Sequence, residues 1–170
     1  PMAVRTRHGA LAVAHNGNLT NAAQLRDELE LSGSIFQTTV DSEIILHLMA
    51  RPSNGSDNNL VQSLQRIQGA YSLVIMTENE LIGVRDPHGF RPLSIGRLDG
   101  AYVLSSETCA FDLIQAEFVR DVEPGEIVII NDDGIQSINA FPMHDREAFC
   151  IFEYVYFSRP DSIITDRSVY

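Results

Sequence analysis

Six consecutive residues, His15-Asn16-Gly17-Asn18-Leu19-Thr20, put a side-chain carboxamide next to a glycine just after the apolar run Ala10 to Ala14. Asn16 offers an amide donor and Gly17 a backbone N–H with no side chain in the way. Two such donors converging on one oxygen make an oxyanion hole, the device that stabilises negative charge on a carbonyl under attack. The same pair is a common turn signal, because Asn and Gly both tolerate positive φ. Local sequence leaves both readings open. Asp41 is the second candidate. It heads Asp41-Ser42-Glu43, where Asp is a favoured helix N-cap and a first-turn acid suits the helix dipole. A carboxylate on a helix-opening loop can also capture an ammonium group.

Other reactive side chains have plainer readings. Asp86-Pro87-His88-Gly89-Phe90-Arg91-Pro92 is pinned by two prolines and a glycine. It reads as a structural corner in which Arg91 pairs with Asp86 and His88 is solvated. In Ser105-Ser106-Glu107-Thr108-Cys109 a strand end passes into a helix start, capped by Ser106 or Thr108. No histidine stands at a recognisable spacing from Cys109, so it is read as a small core residue.

The elements that must carry these groups follow from hydrophobic spacing. The run 10–14 reads as a strand that ends in turn residues. Thr20 is a good N-cap for a helix to Leu31, with Leu25 and Leu29 one turn apart. A second helix opens near Asp41, buries Ile44, Ile45, Leu48 and Met49, and stops at Pro52. The polar stretch Arg51 to Asn59 links it to a third helix carrying Leu60, Leu64 and Ile67, closed by Gly69. Strands are then expected over 70–77, 81–85, 92–96, 101–105, 118–122, 126–131 and 135–138, with turns at Glu78-Asn79-Glu80 and Asp132-Asp133-Gly134. A short helix over 109–115 interrupts them. The segment 149–157 (FCIFEYVYF) alternates and would bury one face or form an interface. Helices followed by antiparallel hairpins indicate an α+β layered fold, not a doubly wound sheet.

Composition narrows the class. The chain has 170 residues, 44% of them hydrophobic, which suits one globular domain with a real core. No run approaches the ~18 apolar residues of a membrane span, and the N-terminus has no signal-peptide core. With 12 Lys and Arg against 23 Asp and Glu, the net charge of −11 argues against a nucleic-acid surface. Cys109 and Cys150 form no zinc pattern, and a reduced, cytoplasmic setting is the expectation.

Seven ordered segments together resemble one family. They are AHNGNLTNA (14–22), TTVDSEI (38–44), GAYSLVIMT (69–77), RDPHGFRPLSIG (85–96), LSSETCAFD (104–112), VEPGEIVIIN (122–131) and CIFEYVYFSRPDS (150–162). The resemblance is to the glutaminase domain of the amidophosphoribosyltransferases, which are class II glutamine amidotransferases that open purine biosynthesis. It implies an N-terminal-nucleophile hydrolase fold, an αββα sandwich of two antiparallel sheets between helical layers. It also implies hydrolysis of the glutamine amide, with the ammonia passed to phosphoribosylpyrophosphate to give 5-phosphoribosylamine. By motif position, Asn16 and Gly17 would hold the oxyanion and Asp41 the glutamine α-amino group. The nucleophile would be the thiol of an N-terminal cysteine, assisted by its own amine.

Pro1 stands where that cysteine would, and the arginine that grips the glutamine carboxylate is expected upstream; Arg5 and Arg7 lack its context. The chain is therefore expected to be an internal fragment. Residues 1–158 would form part of the glutaminase domain, and 159–170 the start of a linker to a phosphoribosyltransferase domain. Alone it would not turn over glutamine. Some family members hold a [4Fe–4S] cluster with a ligand at the position of Cys150. No cofactor is expected in this chain itself, whereas the complete protein would use Mg2+ with phosphoribosylpyrophosphate. Glutamine is the expected partner, with homo-oligomerisation and neither nucleic acid nor membrane. The alternatives are a glutaminase domain serving another acceptor, or a non-catalytic binding module of the same fold.

Overall fold

The computed structural model describes residues 1–7, 9–51, 59–141, 148–164 and 167–169. The chain opens with a hairpin of β1 (Met2–Thr6) and β2 (Gly9–Leu19), then three helices, α1 (Ala22–Leu31), α2 (Ser42–Ala50) and α3 (Asn59–Leu64). β3 (Gly69–Met76), β4 (Leu81–Arg85), β5 (Ser94–Leu98) and β6 (Ala101–Ser105) follow. Next come α4 (Cys109–Ile114), β7 (Glu117–Asp121), β8 (Glu126–Asn131) and β9 (Gly134–Asn139). A π-helical turn (Glu153–Phe157) and a small pair, β10 (Ile163–Ile164) and β11 (Arg167–Ser168), end the described chain.

Two antiparallel sheets stack face to face. The larger has the order β1-β2-β3-β4-β8-β9, the smaller β6-β5-β7. Side chains alternate across each strand. Leu73 and Ile75 of β3 and Ile127 of β8 therefore share one core with Leu25 and Leu29 of α1, Ile44, Ile45 and Leu48 of α2, and Leu64 of α3. Their neighbours Val74, Val128 and Ile130 face the other way and meet Leu93, Ile95, Val122 and Leu104 between the sheets. Each fully buried Leu or Ile contributes about 1.5–3 kcal/mol by leaving water. Two glycines let the layers approach. A Cβ on Gly83 would lie 2.9 Å from Leu104 Cδ1, and one on Gly96 would lie 2.8 Å from the Phe111 ring of α4. The order is helices, sheet, sheet, helix, the expected αββα sandwich.

Most expected elements are present, and the differences have physical causes. β1 is an additional strand, stabilised by pairing with β2 from Met2↔Val13 to Thr6↔Gly9. β2 does not stop at Ala14 but runs on to Leu19, because β3 offers it a ladder from Ala12↔Met76 to Leu19↔Gly69. Thr20 does not cap α1. Its N–H and hydroxyl both donate to Gln68 O, at 2.8 and 3.2 Å, stitching the end of β2 to the turn before β3. Asn21 takes the N-cap position and makes no cap bond, its side chain instead pairing with Arg66 O and Gln68 N–H. α3 ends at Leu64, and Gly69 begins β3 instead of closing the helix. Segment 149–157 is no alternating strand; Ile151, Phe152, Val155, Tyr156 and Phe157 are exposed around a helical turn that buries Glu153. Of the linker-like stretch, residues 52–58 lie outside those described.

Tyr71 is fully buried in the helix-side core, and its hydroxyl has no hydrogen-bond partner among the described residues. Burial, reinforced by the negative charge of Asp86, raises the phenol above its ordinary value. An unpaired buried hydroxyl costs stability, so Tyr71→Phe is expected to be neutral or stabilising, by up to about 1 kcal/mol. Urea denaturation checks this; a loss of stability would mean that the hydroxyl has found a partner.

Candidate functional site

The site lies on β2 past its pairing with β1, which runs from Met2↔Val13 to Thr6↔Gly9. Asn16 and Gly17 sit inside this strand, opposite Ser72 and Tyr71, so the tight-turn reading of the pair is wrong. Gly17 nevertheless needs to be glycine. Its φ is +143°, and a Cβ there would lie 2.0 Å from the carbonyl oxygen of Ala70. Thr20 N–H points to the β3 side, whereas Leu19 N–H turns away from β3 to Asp41 Oδ2 at 3.0 Å. Backbone donors alternate along a strand, so Gly17 N–H shares the outer edge with Leu19 N–H. The side chain of Asn16 is exposed, and its carboxamide makes no hydrogen bond among the described residues. Among the described residues, neither of these two adjacent donors has a hydrogen-bond partner.

Asp41 closes this edge. It occupies the N-cap position of α2, but its carboxylate makes no cap bond. Oδ2 instead accepts from Leu19 N–H, and Oδ1 lies 3.3 Å from Nδ1 of His15. The carboxylate therefore brackets the Asn16–Gly17 step from both sides. Its own loop is held by Glu43, in the first turn of the helix and buried. Gln37 N–H and Thr38 N–H donate to Glu43 Oε1 and Oε2 at 2.7 and 2.8 Å, and the Thr38 hydroxyl donates to Oε2 at 2.7 Å. Burial pushes this carboxyl up, but the three donors outweigh it and hold Glu43 below its ordinary value.

Sequence reasoning missed His15 and Glu43. His15 is legible in retrospect: Leu11, Val13 and His15 fall on one face of β2, and the first two are buried. Its side chain is 2% exposed. Burial lowers its pKa, Asp41 pulls it up by less, and the positive charge of Arg91 adds to the lowering. With its pKa lowered, the ring is neutral at pH 7, and its Nδ1 faces both Asp41 Oδ1 and, at 3.3 Å, Ser42 Oγ.

The other singled-out residues serve the frame. Asp86 is the expected corner: its Oδ1 accepts His88 N–H, and its Oδ2 accepts the N–H groups of Arg91 and Tyr71. Arg91 meets Asp86 only through that backbone N–H. Its guanidinium pairs instead with buried Glu153 at 2.5 Å and lies over the Phe157 ring. His88 stands edge-on to Phe90 and helps line an open groove of about 590 Å³. That groove is also lined by Ala70 and Tyr71, the partners of Asn18 and Gly17, but not by Asn16 or Asp41. Neither Ser106 nor Thr108 caps α4; Thr108 holds the N-cap position without a side-chain cap bond and accepts from Ile163 N–H. Cys109 is buried, its thiol facing Glu107. Cys150 is half-buried just before the π-helical turn. Among the described residues no three metal-ligating side chains cluster. Arg5 lies on exposed β1.

Residues 1–112 match the family profile described as a glutamine amidotransferase domain. The whole chain is 49% identical to an amidophosphoribosyltransferase of Bacillus subtilis, 48% to chloroplastic amidophosphoribosyltransferase 2 of Arabidopsis thaliana and 44% to an amidophosphoribosyltransferase of Archaeoglobus fulgidus. It spans 36%, 30% and 38% of those proteins, roughly a third of their length. The solved glutamine phosphoribosylpyrophosphate amidotransferase of B. subtilis, complexed with ADP and GMP, superposes with a TM-score of 0.94 at 49% identity, over 99% of this chain and 37% of that one. A class-II glutamine amidotransferase domain protein of Silicibacter pomeroyi shares the fold, at a TM-score of 0.56 and 14% identity over 78% of this chain and 67% of that one.

Two outcomes follow from the geometry of β2. Gly17→Ala is expected to cost on the order of 3 kcal/mol or more, since both the φ and the Ala70 carbonyl oppose a methyl group. Denaturation midpoints measure this, and a fully stable Gly17→Ala protein would refute the close approach. The lowered pKa of His15 means that the unfolded chain binds a proton the folded ring resists. Stability from this group is complete above pH 6.5, its ordinary value, and is lost as the pH falls below it. Comparing unfolding at pH 7.5 and 5.5 for the native protein and His15→Asn should show the smaller pH dependence in the variant.

Proposed function

The chain belongs to the glutamine amidotransferase domain family, and from that premise we propose that it is the glutaminase part of an amidophosphoribosyltransferase. In this reading the domain releases ammonia from the side chain of glutamine. A second domain of the complete protein uses the ammonia to displace pyrophosphate from phosphoribosylpyrophosphate. The observation that carries the assignment is the Asn16–Gly17 step of β2, fixed in a strand by β3 and bracketed by the Asp41 carboxylate.

Each residue then has a task. A thiol from upstream of Pro1 attacks the amide carbon of glutamine, and the carbonyl oxygen becomes an oxyanion. The Asn16 carboxamide and Gly17 N–H stabilise that charge, and they are already positioned before the charge develops. Asp41 holds the α-ammonium of glutamine. A carboxylate has about four acceptor sites, and the two taken by His15 and Leu19 leave room for an ammonium. Ammonia leaves, and water releases glutamate from the thioester. Residues 1–158 form the glutaminase part, and 159 onward leads toward the transferase domain. Cys150 is a ligand only where other chain segments supply further thiolates, and Mg2+ belongs with phosphoribosylpyrophosphate. The protein would work in the cytoplasm or an equivalent reduced compartment as a homo-oligomer. Among the described residues, no helix is long and apolar enough to cross a membrane.

The test uses the complete protein and two assays, glutamine-dependent and ammonia-dependent synthesis. Asn16→Ala should lower the glutamine-dependent kcat by roughly 10²–10³-fold and spare the ammonia-dependent rate. Asp41→Asn should mainly raise the KM for glutamine, about tenfold or more. Equal loss of both activities in Asn16→Ala would defeat the oxyanion assignment. An unchanged KM with lowered stability in Asp41→Asn would return that residue to a purely structural role.

A further inference from the structure

His15 is buried but is not apolar filler. One ring nitrogen is committed to Asp41 and Ser42; the other, Nε2, is buried with no partner among the described residues. An apolar side chain among Leu11, Val13 and the α2 residues would avoid that unpaired acceptor, which costs about 1–3 kcal/mol. The polar ring therefore buys something else. It lies beside Asn16 in the chain but on the opposite face of β2, toward α2, so it cannot share the work of the exposed carboxamide.

We propose that His15 is a positioning residue for Asp41: its Nδ1–H donates to Oδ1 while Leu19 N–H donates to Oδ2, and the two together fix the rotamer that presents the carboxylate to the glutamine ammonium. The inference rests on the reading of Asp41 as the ammonium site. Asp41 stands at the N-cap of α2 without a cap bond, and among the described residues no other hydrogen bond orients its carboxylate. A neutral ring is the suitable partner. It donates one hydrogen bond, yet leaves the carboxylate its full charge for the substrate, whereas an imidazolium would compete with the ammonium. The unpaired Nε2 follows from the same arrangement, since the proton that serves Asp41 leaves the other nitrogen a bare acceptor.

The complete protein decides it, with His15→Asn, His15→Gln and His15→Ala made alone and with Asp41→Asn. The side-chain amide of Asn places a donor where Nδ1–H sits; that of Gln reaches the Nε2 position, and Ala supplies neither. His15→Ala and His15→Gln should raise the KM for glutamine about tenfold with kcat within about twofold of native, and His15→Asn should stay within about threefold on KM. In the Asp41→Asn background, His15→Ala should add no further KM change. Ammonia-dependent synthesis should stay at the native rate throughout. Three results overturn the inference: His15→Asn as impaired as His15→Ala, an effect on kcat alone, or full additivity with Asp41→Asn. Joint loss of glutamine- and ammonia-dependent activity in all three His15 variants would make the residue structural and overturn it too. If His15→Ala does not fold, His15→Gln against His15→Asn carries the same comparison. An unchanged KM in Asp41→Asn alone is a separate failure, that of the ammonium reading, and removes the basis of the inference with it.

Discussion

The carboxylate of Asp41 ties two unlike elements together. One oxygen takes the N–H of Leu19 from the end of a strand, and the other takes the ring of His15 from that strand's buried face. The Leu19 N–H bond to the carboxylate is charge-assisted, about twice as strong as a neutral one and directional. Because both partners lie on β2, the start of α2 is placed against the stretch that contains Asn16 and Gly17. Glu43 repeats the device two residues later, gripping the loop that leads into α2. Without these carboxylates, the loop from residue 34 to 41 would have only exposed or half-buried side chains to hold it.

The sandwich supplies the rigid platform. Strand β2 is held on one side by β3 over eight residue pairs from Ala12 to Leu19 and pairs with β1 on the other from Gly9 to Val13. The donors of the Asn16–Gly17 step therefore sit on a strand fixed by a fully packed core. Across the inter-sheet gap, Arg120 of β7 donates to both oxygens of Glu126 in β8, and Ser137 and Glu123 N–H complete that buried carboxylate. Arg85 sends its guanidinium to the carbonyls of Gly89, Arg91 and Val122, so the corner after β4 is fastened from inside. Through Arg91 and Glu153 the same corner reaches the helical turn near the end of the chain.

Much of this was readable from residue order alone. The spacing of Leu25 and Leu29, of Ile44, Ile45 and Leu48, and the alternation in 70–77 identified helices and strands, because those periods report directly which face is buried. The Asn-Gly pair and the DSE helix start marked the candidate donors and carboxylate, since few residue types can do either job. Arg91 shows where such reading stops. Asp86 is five residues away and Glu153 is 62 away, yet Glu153 holds the guanidinium; only the approach of distant segments makes the longer pairing available.

Sequence by itself determined the layered α+β class, the family to which the motifs belong and the residue types able to bind an amide oxygen and an ammonium. These depend on local periodicity and on side-chain chemistry, both of which are written in the order of residues. Tertiary structure alone decided that Asn16 and Gly17 lie within a strand and not on a turn, because the ladder offered by β3 is worth more than the local turn preference. It also decided that Asp41 reaches back to β2 instead of capping its helix, and that His15 turns inward to meet it. Those outcomes depend on which backbone donors remain unpaired once the sheet has formed, and no stretch of sequence records that.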